Sequence, residues 1–402
     1  MNTGKKESGA VSLFIVVFTA LLISVVTISF IRIMVRDQEQ ASTVDLSQSA
    51  YDSALAGVED AKRALLHFQT VCQSDATTPA CVAATSAMAA AATQCNVGLS
   101  QIGIDATADE VMVQQSTDSS ARALDQAYTC VNILLKTPDY LGILQADGSK
   151  IIPIRSDSAF DTVRLEWYST QNLPAGGGVA LDLMPNSTMP QPLLNQASWG
   201  QDRPSVMRAQ LMQFGGNGFT LGDFEGKNAA GESNANTLFL YPTDGASPGT
   251  ASNPETAFIG TESFGVRDVR KSAPTGSTGG LQSVKCYPNL SIQKYACRVD
   301  LKVPTPIGAG DRTAFLRLSA LYNATDYRVS LYNGATAVKL DGVQPQIDST
   351  GRANDLFRRV QSRVELAVDF PYPDAAVDIT GNFCKNFTIT DNPADYTTAC
   401  TP

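Results

Sequence analysis

The stretch GAVSLFIVVFTALLISVVTISFIRIMVRD, residues 9–37, decides how the rest of the chain is read. From Ala10 to Ile31 it carries no charged side chain, and it follows directly on a short leader with Lys5, Lys6 and Glu7 that ends at Gly9. As a helix at about 1.5 Å per residue, these 22 residues reach about 33 Å, enough for a hydrocarbon core of about 30 Å. A secretory signal has a shorter apolar core and a small-residue cut site, and RIMVRDQEQ at 32–40 offers none. Lys5 and Lys6 on one side are matched by Arg32 and Arg36 on the other, so basic residues alone do not orient the span.

The helical pattern continues past the apolar run. Val44, Tyr51, Leu55, Val58, Leu65, Phe68 and Cys72 share one phase, and Glu59 and Arg63 stand at i and i+4 to pair. No proline falls between Ala10 and Thr78, and Gly57 is the one glycine there. The spacing predicts a single helix of roughly 60 residues. Its first half is wholly apolar; its second half is amphipathic and lies on a globular domain.

The net charge of −9 argues against broad nucleic-acid binding, which needs clustered Lys and Arg. The eight cysteines, Cys72, Cys81, Cys95, Cys130, Cys286, Cys297, Cys384 and Cys400, form no C-x-x-C pair. With His67 the single histidine, a Cys/His metal site has no support. Disulfides in an oxidising compartment fit better, and they place the chain beyond residue 32 outside the cell. Many pairings are open. Proximity favours Cys72–Cys81, Cys95–Cys130, Cys286–Cys297 and Cys384–Cys400.

GAVSLFIVVFTALL followed by SQSAYDSALAGVEDAKRAL at 47–65 resembles the class III signal and N-terminal helix of type IV pilins, most like the PilX-type minor pilins. The resemblance implies cleavage between Gly9 and Ala10, with Ala10 the new and methylated N-terminus. It implies a filament-core helix through Val11, Leu13, Phe14, Ile15, Leu21, Leu22, Val25, Ile28 and Ile31. It implies as partners other pilin subunits in a helical filament, a prepilin peptidase and assembly platform in the membrane, and a host-cell surface. The subunit would wait as a single-pass membrane protein with its head outside, then join a surface pilus. One position departs from the pattern. Most major pilins carry glutamate at the fifth residue after the cut, and here it is Phe14. That points to a minor subunit, and it keeps an uncleaved, membrane-anchored surface adhesin as the alternative.

The resulting fold class is α+β: a long N-terminal helix, transmembrane in its first half, packed on a β-rich head with a helical insertion, pilin-like. The expected divisions are a leader at 1–9, the helix at 10–72, a helical insertion at 73–137 and a disulfide-stapled head at 138–402. The insertion rests on alanine-rich CVAATSAMAAAATQC and on helical spacing in TDSSARALDQAYTCVNILLK. From about residue 160 the period becomes two: VRLEWY sets Val163, Leu165 and Trp167 inward against Arg164 and Glu166, and CRVDLKV, AFLRLSALY and DYRVSLY follow suit. LFRRVQSRVELAV puts Val360, Val364, Leu366 and Val368 on one face. Long loops at 172–200, 215–236 and 242–280 separate the strands.

Catalytic chemistry finds no foothold. GASPG at 245–249 matches the nucleophile elbow around Ser247, but Pro248 and the lack of a downstream histidine deny it the required turn and base. DLSQS at 45–49 matches a metal-site pattern but falls mid-helix. No catalytic residue, cofactor or metal is expected. Arg352, Arg358, Arg359, Arg363 and Lys385 form the one basic region, read as a solvated strand face, with DNA or an acidic host surface as the sharper alternative.

Overall fold

The computed structural model describes residues 9–73, 76–105, 110–114, 126–176, 178–183, 196–213, 236–244, 255–258, 281–309 and 314–366. Helix α1 runs unbroken from Gly9 to Gln73, 65 residues, as the absence of proline predicts. Helix α2 (Pro79–Ala90) starts where Thr78 accepts from the Cys81 amide and Pro79 takes the first turn, which has no use for its missing N–H. In chain order the first strands are β1 (Val111–Gln114), β2 (Gln126–Thr137), β3 (Tyr140–Leu144), β4 (Ser149–Pro153) and β5 (Phe160–Ser169). Next come β6 (Val206–Gln213), β7 (Asn236–Thr243), β8 (Glu255–Phe258), β9 (Leu281–Lys285) and β10 (Tyr295–Ile307). The last are β11 (Ala314–Leu321), β12 (Thr325–Asn333), β13 (Thr336–Val338), β14 (Leu340–Ala353) and β15 (Leu356–Arg363).

The chain divides into two compact units, Met1–Ile133 with Ile347–Ser362, and Leu134–Gln346 with Arg363–Pro402. The first holds α1, α2, a 3-10 turn at Val97–Ile102 and a sheet of order β1–β2–β14–β15. The second is a sandwich. One of its sheets has the order β13–β12–β5–β10–β8 with β3 also on β12, and the other β4–β11–β6–β7–β9. Trp167, Leu165, Val299 and Val329 from one sheet and Leu316, Ala209 and Leu240 from the other close a single core, each nearly or fully buried. Most pairs are antiparallel, as alternation predicts; β10 with β8 and β7 with β9 are parallel.

Several sequence expectations are corrected. Gln126–Thr137 is a strand, not the end of a helical insertion. Its apolar positions fit both periods, and pairing decides: Val111 lies against Tyr128, and Val131 and Ile133 alternate into the core. Among the described residues, the helical part of 74–137 is therefore α2 and the 3-10 turn.

The buried stripe of α1 is also not the one read from the large side chains. Val58 and Leu65 are buried, but Val44, Tyr51 and Leu55 are exposed; the stripe is completed by Ala50, Ser53, Ala54, Ala61 and Ala64. The reason is close approach. A Cβ at Gly351 of β14 would overlap the Ala50 carbonyl oxygen and the Ala54 amide, and one at Gly57 would strike Ser349 and come within 2.9 Å of Val131. Only small residues let backbone meet backbone this way.

On β5, Val163, Leu165 and Trp167 are buried as expected. Glu166 is not outward in water, being 8% exposed beneath Arg328, whose Nε donates to its Oε2 at 2.6 Å. Arg164 makes a two-pronged bond to Asp300, at 2.7 and 2.9 Å. The outer face of this sheet is a ladder of cross-strand ion pairs. LFRRVQSRVELAV is an edge strand ending at Arg363, so Val364 and Leu366 lie beyond it, and Val368 lies outside the described residues.

Candidate functional site: the apolar half of the long helix

The first half of α1 is exposed all round. Leu13 is 69% exposed and Phe14 72%, and Ile15, Leu21, Leu22, Val25, Ile28 and Ile31 are each more than half exposed. Gly9, Ala10 and Val11 lie in the first turn of α1, and residues 1–8 of the leader lie outside the described residues. A helix apolar on every side has no polar face to turn toward water. Leaving one Leu, Ile, Val or Phe in water forfeits roughly 1.5–3 kcal/mol compared with burying it. Four of its hydroxyls are bonded within the helix: Thr19 donates to Ile15, Ser24 to Ala20, Thr27 to Ile23 and Ser29 to Val25, all backbone carbonyls four residues back at 2.8–2.9 Å. With these four hydroxyls bonded inside the helix, the segment is long and apolar enough to cross a membrane.

The second half is tied down. Tyr128 on β2 donates to Asp60 at 2.8 Å, and burial followed by the Asp60 bond raises the tyrosine well above its ordinary pKa. The expected Glu59–Arg63 pair is replaced by two shorter steps, Lys62 to Glu59 at 2.6 Å and Arg63 to Asp60 at 3.2 Å. Cys72–Cys81 fastens the end of α1 to α2, and Cys95–Cys130 fastens the segment after α2 to β2. In the sandwich, Cys286–Cys297 ties the residue after β9, in one sheet, to β10 in the other. Cys384 and Cys400 lie outside the described residues.

The remaining sequence candidates disperse. Arg352 bonds Glu110 at 2.7 and 2.9 Å, Arg358 donates to Ser47 at 2.7 Å, Arg359 to Asp348 at 2.6 Å and Arg363 to Asp139 at 3.0 Å. Three of these four charges are met by carboxylates, and that of Arg358 meets a hydroxyl. Lys385 and Ser247 lie outside the described residues. His67 is exposed on α1, and Asp45–Ser49 is helical. Among the described residues no group of three His, Cys, Asp or Glu side chains could hold a metal.

Sequence reasoning missed the small-residue stripe of α1, although Ala50, Ser53, Ala54, Gly57, Ala61 and Ala64 recur at helical spacing and were there to be found. It also missed a clamp in the sandwich unit. There Tyr140 donates to Glu365 at 2.5 Å while Lys150 pairs with the same carboxylate, over more than 200 positions of sequence. Burial raises the Glu365 pKa, but the bonds from Lys150 and Tyr140 outweigh it and hold the group below its ordinary value.

Compared with family models, characterised proteins and solved structures, the chain matches none.

Proposed function

We propose that this chain is a minor subunit of a type IV pilus-like filament, a structural protein and not an enzyme. The observation that carries the reading is α1 itself. One uninterrupted helix presents apolar side chains on all sides along its first half and is locked by small residues and a disulfide along its second. Such a rod needs a bilayer first and can then exchange lipid for sister helices. Leaving lipid gains little hydrophobic energy, so side-chain packing has to drive the exchange. Cleavage after Gly9 by a prepilin peptidase exposes Ala10, and the run from Val11 to Ile31 enters the filament core.

The test is the mature N-terminus of protein taken from cells, read by mass spectrometry, together with the composition of sheared surface fibres. A methylated Ala10 and presence in the fibres support the subunit. An intact Met1 and absence from fibres overturn it in favour of an anchored adhesin. That second reading is favoured by one residue, Phe14, which stands where a charge would pair with a neighbouring terminal amine.

A further inference from the structure

The two tryptophans of the sandwich unit are both buried, yet they differ at one atom. Trp167 donates its indole N–H to the Ser205 carbonyl at 3.0 Å. Trp199, 6% exposed, has a buried Nε1 with no acceptor among the described residues. Beside it Arg203, also 6% exposed, sits over the Trp199 ring at 5.1 Å. Its Nε donates to the Asp182 carbonyl oxygen at 3.1 Å, its Nη2 pairs with the Asp182 carboxylate, and its Nη1 is buried with no acceptor among the described residues. Native interiors seldom leave such donors unmet, and here two belong to touching side chains.

The surroundings hold this corner in place. Trp199 stacks on Tyr322 at 4.8 Å between ring centres and meets Tyr241 edge-on at 5.8 Å. Asn323 donates to the carbonyls of Gly200 and Arg203, both at 2.8 Å, and the Tyr168 hydroxyl donates to that of Gln201. Tyr168 and Tyr322 both keep left-handed backbone, at φ 66° and 76°, a conformation costly for a side chain of that bulk. Strain of this kind persists where neighbours over-determine it, and it concentrates at binding sites.

The charge balance selects the ligand. Arg203 is already neutralised by Asp182, and the nearby Asp202 adds to burial in raising the Tyr168 hydroxyl, so a further anion would be repelled. The two spare N–H groups call for a neutral acceptor. The half-exposed Asp182 carboxylate calls for a donor, and the part-exposed Tyr322 ring offers an apolar face. A sugar hydroxyl is acceptor and donor at once, and a pyranose ring has an apolar C–H face.

We propose that the Trp199–Arg203–Asp182 corner is a binding site for a neutral sugar. One hydroxyl oxygen accepts from Nε1 of Trp199 and Nη1 of Arg203, and its neighbour donates to Asp182. Both N–H groups are buried, so the sugar reaches them only as the Tyr322 or Asp182 side chain rotates outward. The site does not depend on the filament reading.

The two indole N–H groups provide the test. The full chain is labelled with [15N]tryptophan in detergent, and the two signals are assigned with Trp199→Phe. Glucose, galactose and N-acetylglucosamine are titrated separately, with glycerol and glucuronate as controls. At least one neutral sugar should move the Trp199 signal saturably while the Trp167 signal stays still, and glucuronate should bind more weakly than glucose. Arg203→Gln and Asp182→Asn should each weaken binding about fivefold or more. The Trp167 signal at its wild-type position shows that a variant is folded, and Tyr322→Leu replaces one that is not. No movement with any of the three sugars, equal movement with glycerol, or undiminished binding in folded variants overturns the proposal.

Discussion

The two halves of α1 obey opposite rules within one continuous helix. The first half carries large apolar side chains in every direction and buries none of those described. The second half buries a narrow stripe, and most of that stripe is alanine, serine and glycine. Size, not only polarity, therefore separates the two. Bulky residues suit a helix whose neighbours are lipid tails or other helices. Small ones suit a helix pressed against a sheet backbone at Gly351. The apolar residues Val44, Tyr51, Leu55 and Leu66 of the second half stay outside the stripe, from 37% to 60% exposed.

The comparison can be broken most forcefully at Gly351. Gly351→Leu drives a side chain into the Ala50 carbonyl and Ala54 amide, backbone that has nowhere to yield. The expected loss is roughly 3 kcal/mol or more, read as early denaturant unfolding and rapid proteolysis of the first unit. Leu22→Arg tests the other half. It should cost about 2.5–3.5 kcal/mol of membrane insertion and leave the circular dichroism of the head unchanged. If membrane fractionation shows no loss, the exposed half is not a span.

The disulfide that fastens the end of α1 to α2 comes next. Replacing both Cys72 and Cys81 by serine removes a link across 9 positions of chain and should cost about 2–3 kcal/mol, measured by denaturant titration. The sandwich unit supplies a pH contrast. Glu365 ionises below its ordinary value of 4.5 in the fold, so its contribution is fully present above that value and is lost as the pH falls through the lower folded value. Glu365→Gln should flatten the fall in melting temperature below pH 4.5, and an unchanged slope would deny the clamp. The smallest effect is the sharpest contrast with Gly351: Val44→Ser, 60% exposed on the same helix, should change stability by no more than about 0.5 kcal/mol. A loss of several times that would show that the large residues do hold the unit.

Much of the architecture was legible before any coordinates. The apolar run and the missing prolines predict α1, and the period of two in VRLEWY and CRVDLKV predicts the sandwich strands. Three of the proximity pairs, Cys72–Cys81, Cys95–Cys130 and Cys286–Cys297, are closed in the structure. Other readings went astray where an alanine outranks a tyrosine or a run suits two periods. A pattern search weighted by bulk passes over Ala50 and Ala54, and Tyr128–Val131–Leu135 reads as helix until a partner strand is beside it. The Trp199 corner had no local signal at all, because Trp199, Arg203, Asp182 and Tyr322 are gathered from three separated segments of chain.

The amino-acid order alone determined what depends on neighbours along the chain: an unbroken helix, its greasy half, alternating strands and short disulfide loops. Tertiary structure alone decided which face of that helix is buried, that residues 126–137 extend and that Glu365 meets Lys150 and Tyr140. The physical reason is range. Backbone propensity and side-chain period act over a few residues, whereas close approach, charge pairing and satisfaction of buried donors exist only once distant segments are in contact.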